Sequence, residues 1–175
     1  MLREAPVGKI RLRDVAARAG VSHQTIYNLV GNTDRLLSSV IDEYVERTNA
    51  ALGDDLPRHA ASNPVDAVVS LAKAMARVTL EDPIPLKSVL RELGPLNVSE
   101  NKTTGLEAPL EYLLLEGGVP SSDAENAARL IVYGFRGLLV SWAHDLVPSE
   151  IFLTEASLIA ETIARAAVAR HLLNT

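Results

Sequence analysis

The sequence predicts an all-α protein. Alanine and leucine dominate, while aromatic residues make up only 4% of the chain. Helix-starting and helix-stopping residues recur along its whole length. No stretch shows the period-2 alternation of a half-buried strand. At 175 residues the chain has room for a small helical unit followed by a medium-sized one.

The first element, "IRLRDVAARAG", puts Leu12, Val15, Ala16 and Ala19 on one face and stops at Gly20, which suits a left-handed cap. Ser22 is placed to cap a short second helix with Val21, Ile26 and Leu29 as its apolar positions. Asn32 or Thr33 then opens a longer helix, Asp34 to about Leu52, which turns Leu36, Leu37, Val40, Ile41 and Tyr44 inward. The polar, proline-bearing "GDDLPRHAASNP" reads as the junction, dividing the chain into 1–52 and 53–175.

Asn63-Pro64 supplies an N-cap and first helical residue for a helix to about Leu80. A short helix follows "EDPIPL" and ends before Gly94-Pro95. The segment 98–116 is expected to be helical, with Pro109 kinking it or starting a new helix. Gly117-Gly118 stops it. Ser122 with Glu125 reads as a capping box for a long helix to about Asp145, and Pro148 introduces the last helix, through Leu173.

The last two helices carry more than one apolar face. Ile131, Phe135, Leu138 and Trp142 fall on one side of the first, with Tyr133, Gly137, Val140 and His144 roughly opposite. A helix apolar on both sides is buried on both sides. The final helix has a seam of Ala156, Ala160, Ala164 and Ala167 beside the bulkier Ile159, Ile163 and Leu172. In a chain this short, such a pair predicts a homodimer closed by a four-helix bundle, with Gly137, Val140, Ala160, Ile163, Ala164 and Ala167 at the interface. A larger core within one chain is the other arrangement that would bury these faces.

The net charge of −5 hides an asymmetry. Residues 1–35 carry Arg3, Lys9, Arg11, Arg13, Arg18 and Arg35 against Glu4, Asp14 and Asp34, so six basic less three acidic gives +3. The remainder therefore carries −8, because −5 less +3 is −8. A basic head on an acidic body places any polyanion contact at the head. The absence of cysteine excludes disulfides and thiolate chemistry. The N-terminus lacks the apolar core of a signal peptide. The most apolar run, Leu130 to Ala143, is too short to span a bilayer and contains Arg136. A cytoplasmic protein that does not associate with membranes is expected.

Catalytic patterns are missing. His23, His59, His144 and His171 are scattered without the spacing of a metal pair, and the glycine-containing segments form no phosphate loop. A non-enzymatic protein without metal or cofactor is expected.

The head carries the functional pattern. Ala16, Gly20, Val21 and Ile26 supply the small residue, turn glycine and apolar joints of a helix-turn-helix. Ser22, His23, Gln24, Thr25, Tyr27 and Asn28 crowd one short helix with hydrogen-bonding side chains suited to base edges and phosphates, with Arg11 and Arg13 alongside. The stretch "RDVAARAGVSHQTIYNLVGNTDRLLSSVIDEY" resembles the N-terminal signature of TetR-family transcriptional regulators. The resemblance implies a homodimeric, ligand-responsive regulator, usually a repressor, that binds double-stranded operator DNA through its head. It also implies a body that holds a small effector, expected to be hydrophobic, and dimerises through the last two helices.

Transferred by position, the resemblance implies that His23, Gln24, Tyr27 and Asn28 lie on the recognition helix, with Tyr27 on phosphate. Arg13 and Thr25 match further DNA-facing positions. In the body, Arg77, Arg91, Tyr112, Tyr133, Trp142 and His144 are the candidates for polar or aromatic pocket contacts. Three departures bear on affinity. Only "MLREA" precedes Pro6, so the family's leading helix is expected to be absent or vestigial. Thr33 stands where a phosphate-gripping lysine usually opens the fourth helix, and Leu29-Val30 replaces an aromatic-basic pair. Each lost phosphate contact weakens binding. An alternative function is therefore a DNA-incompetent helical dimer that senses a small molecule or binds a partner protein.

Overall fold

The computed structural model describes residues 11–50, 56–93 and 100–173. Among them the chain forms α1 (Leu12–Ala19), α2 (His23–Val30), α3 (Thr33–Ala50), α4 (Leu56–Ser62), α5 (Pro64–Glu81), α6 (Pro83–Leu93), α7 (Glu100–Glu116), α8 (Ser121–Ala143) and α9 (Ser149–Leu173), with no strand. Arg3, Glu4 and Lys9 of the basic head, the expected boundary at residues 52 and 53, and the segment on which the expectation about a leading helix falls all lie outside the described residues.

Helix ends follow the sequence closely. Gly20 adopts φ +70°, and the amides of Gly20 and Val21 reach back to the carbonyls of Ala17 and Ala16. This pair of bonds closes a helix with a left-handed residue and needs no side chain. The same pattern ends α7 at Gly118 and α8 at Asp145, whose φ is +59°. Ser22 accepts the Thr25 amide at 3.0 Å and Asn32 accepts that of Arg35 at 2.8 Å, so Asn32, not Thr33, caps α3. Asn63 accepts the Asp66 amide at 3.1 Å, with Pro64 in the first turn of α5.

Three local expectations differ. Ser122 and Glu125 do not cap α8, because the helix already begins at Ser121 behind Pro120. A capping box works only when its serine stands outside the helix. The polar junction contains a helix, α4, whose Ala60 is fully buried. Of the two expectations for Pro109, a new helix does not start there, and α7 runs through it.

The main core joins α4 through α9. α5 packs against α9, and both helices bury alanines: Ala67, Ala72 and Ala76 on α5, Ala156, Ala160, Ala164 and Ala167 on α9. Small residues let two helix axes approach closely. Gly134 does the same for α8 and α9, since a Cβ there would lie 2.6 Å from Ile159 Cγ2. Beyond that crossing, the Phe152 ring meets Phe135 edge-on at 5.9 Å and Trp142 at 5.3 Å.

Two smaller clusters attach the N-terminal helices. Leu12, Ala16 and Ile26 are buried between α1 and α2, with Val15, Val30 and Leu36 against them. Leu37 of α3 and Val89 of α6 form the second, with Val15, Val40 and Ile41. Helix α3 thus contributes Leu36 to the first cluster, Leu37 to the second, and Ile41 and Tyr44 to the main core.

Phe152 is completely buried between two aromatic rings. Phe152→Ala is expected to lower unfolding free energy by about 3–5 kcal/mol in urea denaturation. A loss below about 1 kcal/mol would mean that this junction collapses around the vacancy.

Candidate functional site

The sequence-predicted residues fall into three places. The first is the α1–α2 unit. The left-handed turn at Gly20 redirects the chain, and the burial of Ile26 against Leu12 and Ala16 fixes which face of α2 turns outward. Arg11, Arg13, Ser22, His23, Gln24, Thr25, Tyr27 and Asn28 are all exposed, whereas Thr33 is half-buried. The outward side chains hold one another. The hydroxyls of Ser22 and Thr25 are 2.8 Å apart, and the Gln24 amide donates to Asn28 Oδ1 at 2.9 Å. The i to i+4 spacing puts Gln24 and Asn28 one turn apart on the same face.

Arg13 Nε lies 3.5 Å from Asp14 at the start of α1. Leu29 is 74% exposed on α2, an apolar side chain beside the polar row. Arg35, exposed in the first turn of α3, folds its side chain over Gly31. It belongs beside Arg11 and Arg13 as an available cation on this surface. Its basic residue type one turn after the α2–α3 bend was the sequence signal.

The second place is a half-open cavity of about 280 Å³ lined by α3, α5, α6, α7 and α8. Aliphatic and aromatic groups dominate its wall, including Ile41, Met75, Leu90 and Phe135, with Tyr44, Thr48, Thr79 and Arg136 as the polar-bearing residues. None of Arg77, Arg91, Tyr112, Tyr133, Trp142 and His144 lines it. On α8 the difference is one of position along the helix, because Tyr133 shares its face with Gly137 and Val140, and Trp142 shares its face with Phe135. Arg77, Tyr112, Tyr133 and His144 are turned to solvent. Trp142 is fully buried elsewhere and donates its indole N–H to Ser149 Oγ at 2.9 Å. Arg91 reaches the other end of α8. The true wall residues on α3 were legible as its inward stripe, but their partners across the cavity depend on how the helices pack.

The third place is the outer face of α8 and α9. Within this chain, Ala160, Ala164 and Ala167 are buried in the main core, so the alanine seam belongs to the interior. Ile163 is half-buried against the same core, and Gly137 and Val140 border the cavity. What remains uncovered is Leu130 and Tyr133 on α8, on the same side as the exposed Gly137, with Ile151 and Leu158 on α9. Tyr133 and Leu158 are each more than half exposed, at 53% and 55%.

A charged corner joins α6 to the end of α8. Lys87 Nζ donates to Asp145 Oδ1 at 2.6 Å and lies 4.7 Å from the centre of the Trp142 ring. Arg91 pairs with the other Asp145 oxygen and donates to the Ala143 carbonyl, an open helix-end acceptor. The hydrogen bond from Lys87 is the largest influence on the Asp145 carboxyl and, with both positive charges, holds its pKa below the ordinary 3.8.

Among the described residues no group of three or more His, Cys, Asp and Glu side chains could hold a metal ion, and no helix is long and apolar enough to cross a membrane. Comparison with protein-family models, curated proteins and solved structures finds no match to the chain.

Because the native pKa of Asp145 is depressed, its ion pair stabilises the fold above the unfolded pKa and is lost as pH falls through the native one. Asp145→Asn retains a residue type tolerant of positive φ. At neutral pH the variant should melt below the parent, and the gap should close as the pH is lowered below about 4. A gap independent of pH would mean that the carboxylate charge plays no part.

Proposed function

We propose that this chain is a homodimeric, ligand-responsive transcriptional repressor of the helix-turn-helix class, as its resemblance to TetR-family regulators implies. The observation that carries the reading is the outer face of α2. Eight hydrogen-bonding and basic side chains, from Arg11 to Asn28, project from a rigid two-helix unit whose inner face is fully occupied by Leu12, Ala16 and Ile26. A short helix presenting a row of polar tips suits the major groove, where amides, hydroxyls and imidazoles meet base edges and arginines meet phosphates. In this reading α2 is the recognition helix, and Gln24 and Asn28 read bases. Tyr27, Thr25 and the arginines position the unit on the backbone.

Dimerisation is proposed through the uncovered stripe of Leu130, Tyr133, Ile151 and Leu158, which two-fold pairing would turn into the centre of a four-helix bundle. The cavity is proposed as the effector site. Helix α3 supports this, because it lines the cavity with Tyr44 and Thr48 and supports α2 through Leu36. An effector that moves α3 therefore changes the pose of the recognition helix.

A second reading rests on Leu29 and Thr33. An apolar side chain that is 74% exposed and a half-buried threonine stand where phosphate anchors would strengthen DNA binding. In that reading the dimer senses its ligand without operator DNA.

Titration of the chain against its own promoter region at low salt separates the two. Binding at least about tenfold tighter than to random DNA is expected, given the usual gap between specific and non-specific affinity. Equal affinities would exclude the repressor reading. Tyr27→Phe should weaken operator binding by about 1 kcal/mol, one net hydrogen bond. Unchanged affinity would remove Tyr27 from the interface. Leu158→Glu should convert the dimer to a folded monomer in sedimentation equilibrium, because the new charge would be buried unpaired. A persistent dimer would place the interface elsewhere.

A further inference from the structure

The cavity's donors and acceptors narrow what it holds. Thr48 Oγ1 donates to the Tyr44 carbonyl at 2.9 Å and Thr79 Oγ1 to the Met75 carbonyl at 2.9 Å. The Tyr44 hydroxyl donates to the Asp82 carbonyl at 2.8 Å. Each of the three hydroxyl protons is therefore committed to main chain, and what the two threonine hydroxyls still offer is lone pairs. Arg136 is the cation among the described lining residues, and it already has an interaction partner. Aliphatic and aromatic carbon covers the rest of the wall.

Such a site accepts a hydrogen bond more readily than it donates one. A carboxylate would bring further lone pairs into an apolar enclosure, and burying its charge there is costly. A hydroxyl would find an acceptor and leave no buried donor unpaired. Size adds a second limit. A cavity of about 150 Å³ holds benzene, so about 280 Å³ matches a molecule of about a dozen non-hydrogen atoms.

We propose that the cavity between α3, α5 and α8 binds a neutral, largely apolar alcohol or phenol of about a dozen non-hydrogen atoms, whose hydroxyl donates to Thr48 or Thr79. This rests on reading the cavity as the effector site, and it names the chemistry of that effector.

Three probes share one ring system and differ in a single substituent: naphthalene, 2-naphthol and 2-naphthoate. Equilibrium dialysis of the full chain, without DNA, measures their affinities at neutral pH. 2-Naphthol should bind about fivefold more tightly than naphthalene, one net hydrogen bond, and 2-naphthoate should bind least. Val45→Trp or Val140→Trp, each filling the cavity from a half-buried wall position, should abolish 2-naphthol binding in whichever variant keeps the parent circular dichroism spectrum. If neither variant folds, the order of the three probes decides.

Naphthoate binding tightest would overturn the proposal in favour of an acid held by Arg136. Naphthol no tighter than naphthalene, no binding by any probe, or naphthol binding that persists in a folded tryptophan variant would each overturn it as well. Operator titration is a separate readout. Failure there with intact naphthol binding rejects the repressor reading alone, whereas intact operator binding with no naphthol binding rejects this inference alone.

Discussion

The inward stripe of α3 is the constraint on which the rest of the molecule depends. Four of its side chains satisfy three different environments within three helical turns. Leu36 closes the α1–α2 cluster, Leu37 meets Val89 of α6, and Ile41 and Tyr44 enter the main core. A rotation of α3 by even one residue would break all three contacts together, because helical neighbours differ by about 100°. The polar contacts reinforce the same register. Tyr44 bonds the Asp82 carbonyl at the end of α5, Arg47 pairs with Glu81 beside it, and the Arg47 guanidinium lies 5.4 Å from the centre of the Tyr44 ring. The α5–α6 bend is thereby tied to α3 at the point where the cavity begins.

Helix α6 shares this role. Val89 touches α3, Leu86 and Leu90 border the cavity, and Lys87 and Arg91 hold the exposed end of α8 through Asp145. The corner combines a helix terminus, whose carbonyls attract cations, with a carboxylate placed by a left-handed residue. Exposed ion pairs contribute little individually. Here they act with the buried Trp142–Phe152 contact, so the corner marks the end of a packed core and does not support the fold alone. On the proposed function, α3 and α6 are the two elements through which an occupied cavity would reach the α1–α2 unit.

Much of this was legible in the sequence where the physics is local. Gly20, Ser22, Asn63 and Pro64 act as caps because their effect depends on a few adjacent residues. The outward polar row of α2 was equally plain, since one buried residue, Ile26, fixes the phase of an eight-residue helix. Long-range pairing was not legible. The alanine seam of α9 signalled close helix approach, yet the sequence does not say whether that neighbour is α5 or a second copy of the chain. Of the pocket candidates, Tyr112 and Tyr133 are large and amphipathic, yet both stand exposed and away from the cavity, an outcome set by how α7 and α8 pack. The cavity is built mainly from ordinary aliphatic residues and two threonines whose hydroxyls bond their own helices, a pattern indistinguishable from core in one dimension.

On the proposed function, two copies of this chain would hold their α2 helices one DNA turn apart. The chain has no cysteine, so Leu29→Cys gives a single labelling site on the exposed face of α2. Pulsed dipolar spectroscopy on the spin-labelled protein in solution measures the distance between the two labels directly. The account predicts one narrow distribution centred at roughly 30–40 Å, bracketing the spacing of successive major grooves. An absence of dipolar coupling, or a distribution centred below about 20 Å, would contradict it, because neither arrangement can present two α2 helices to one face of a duplex.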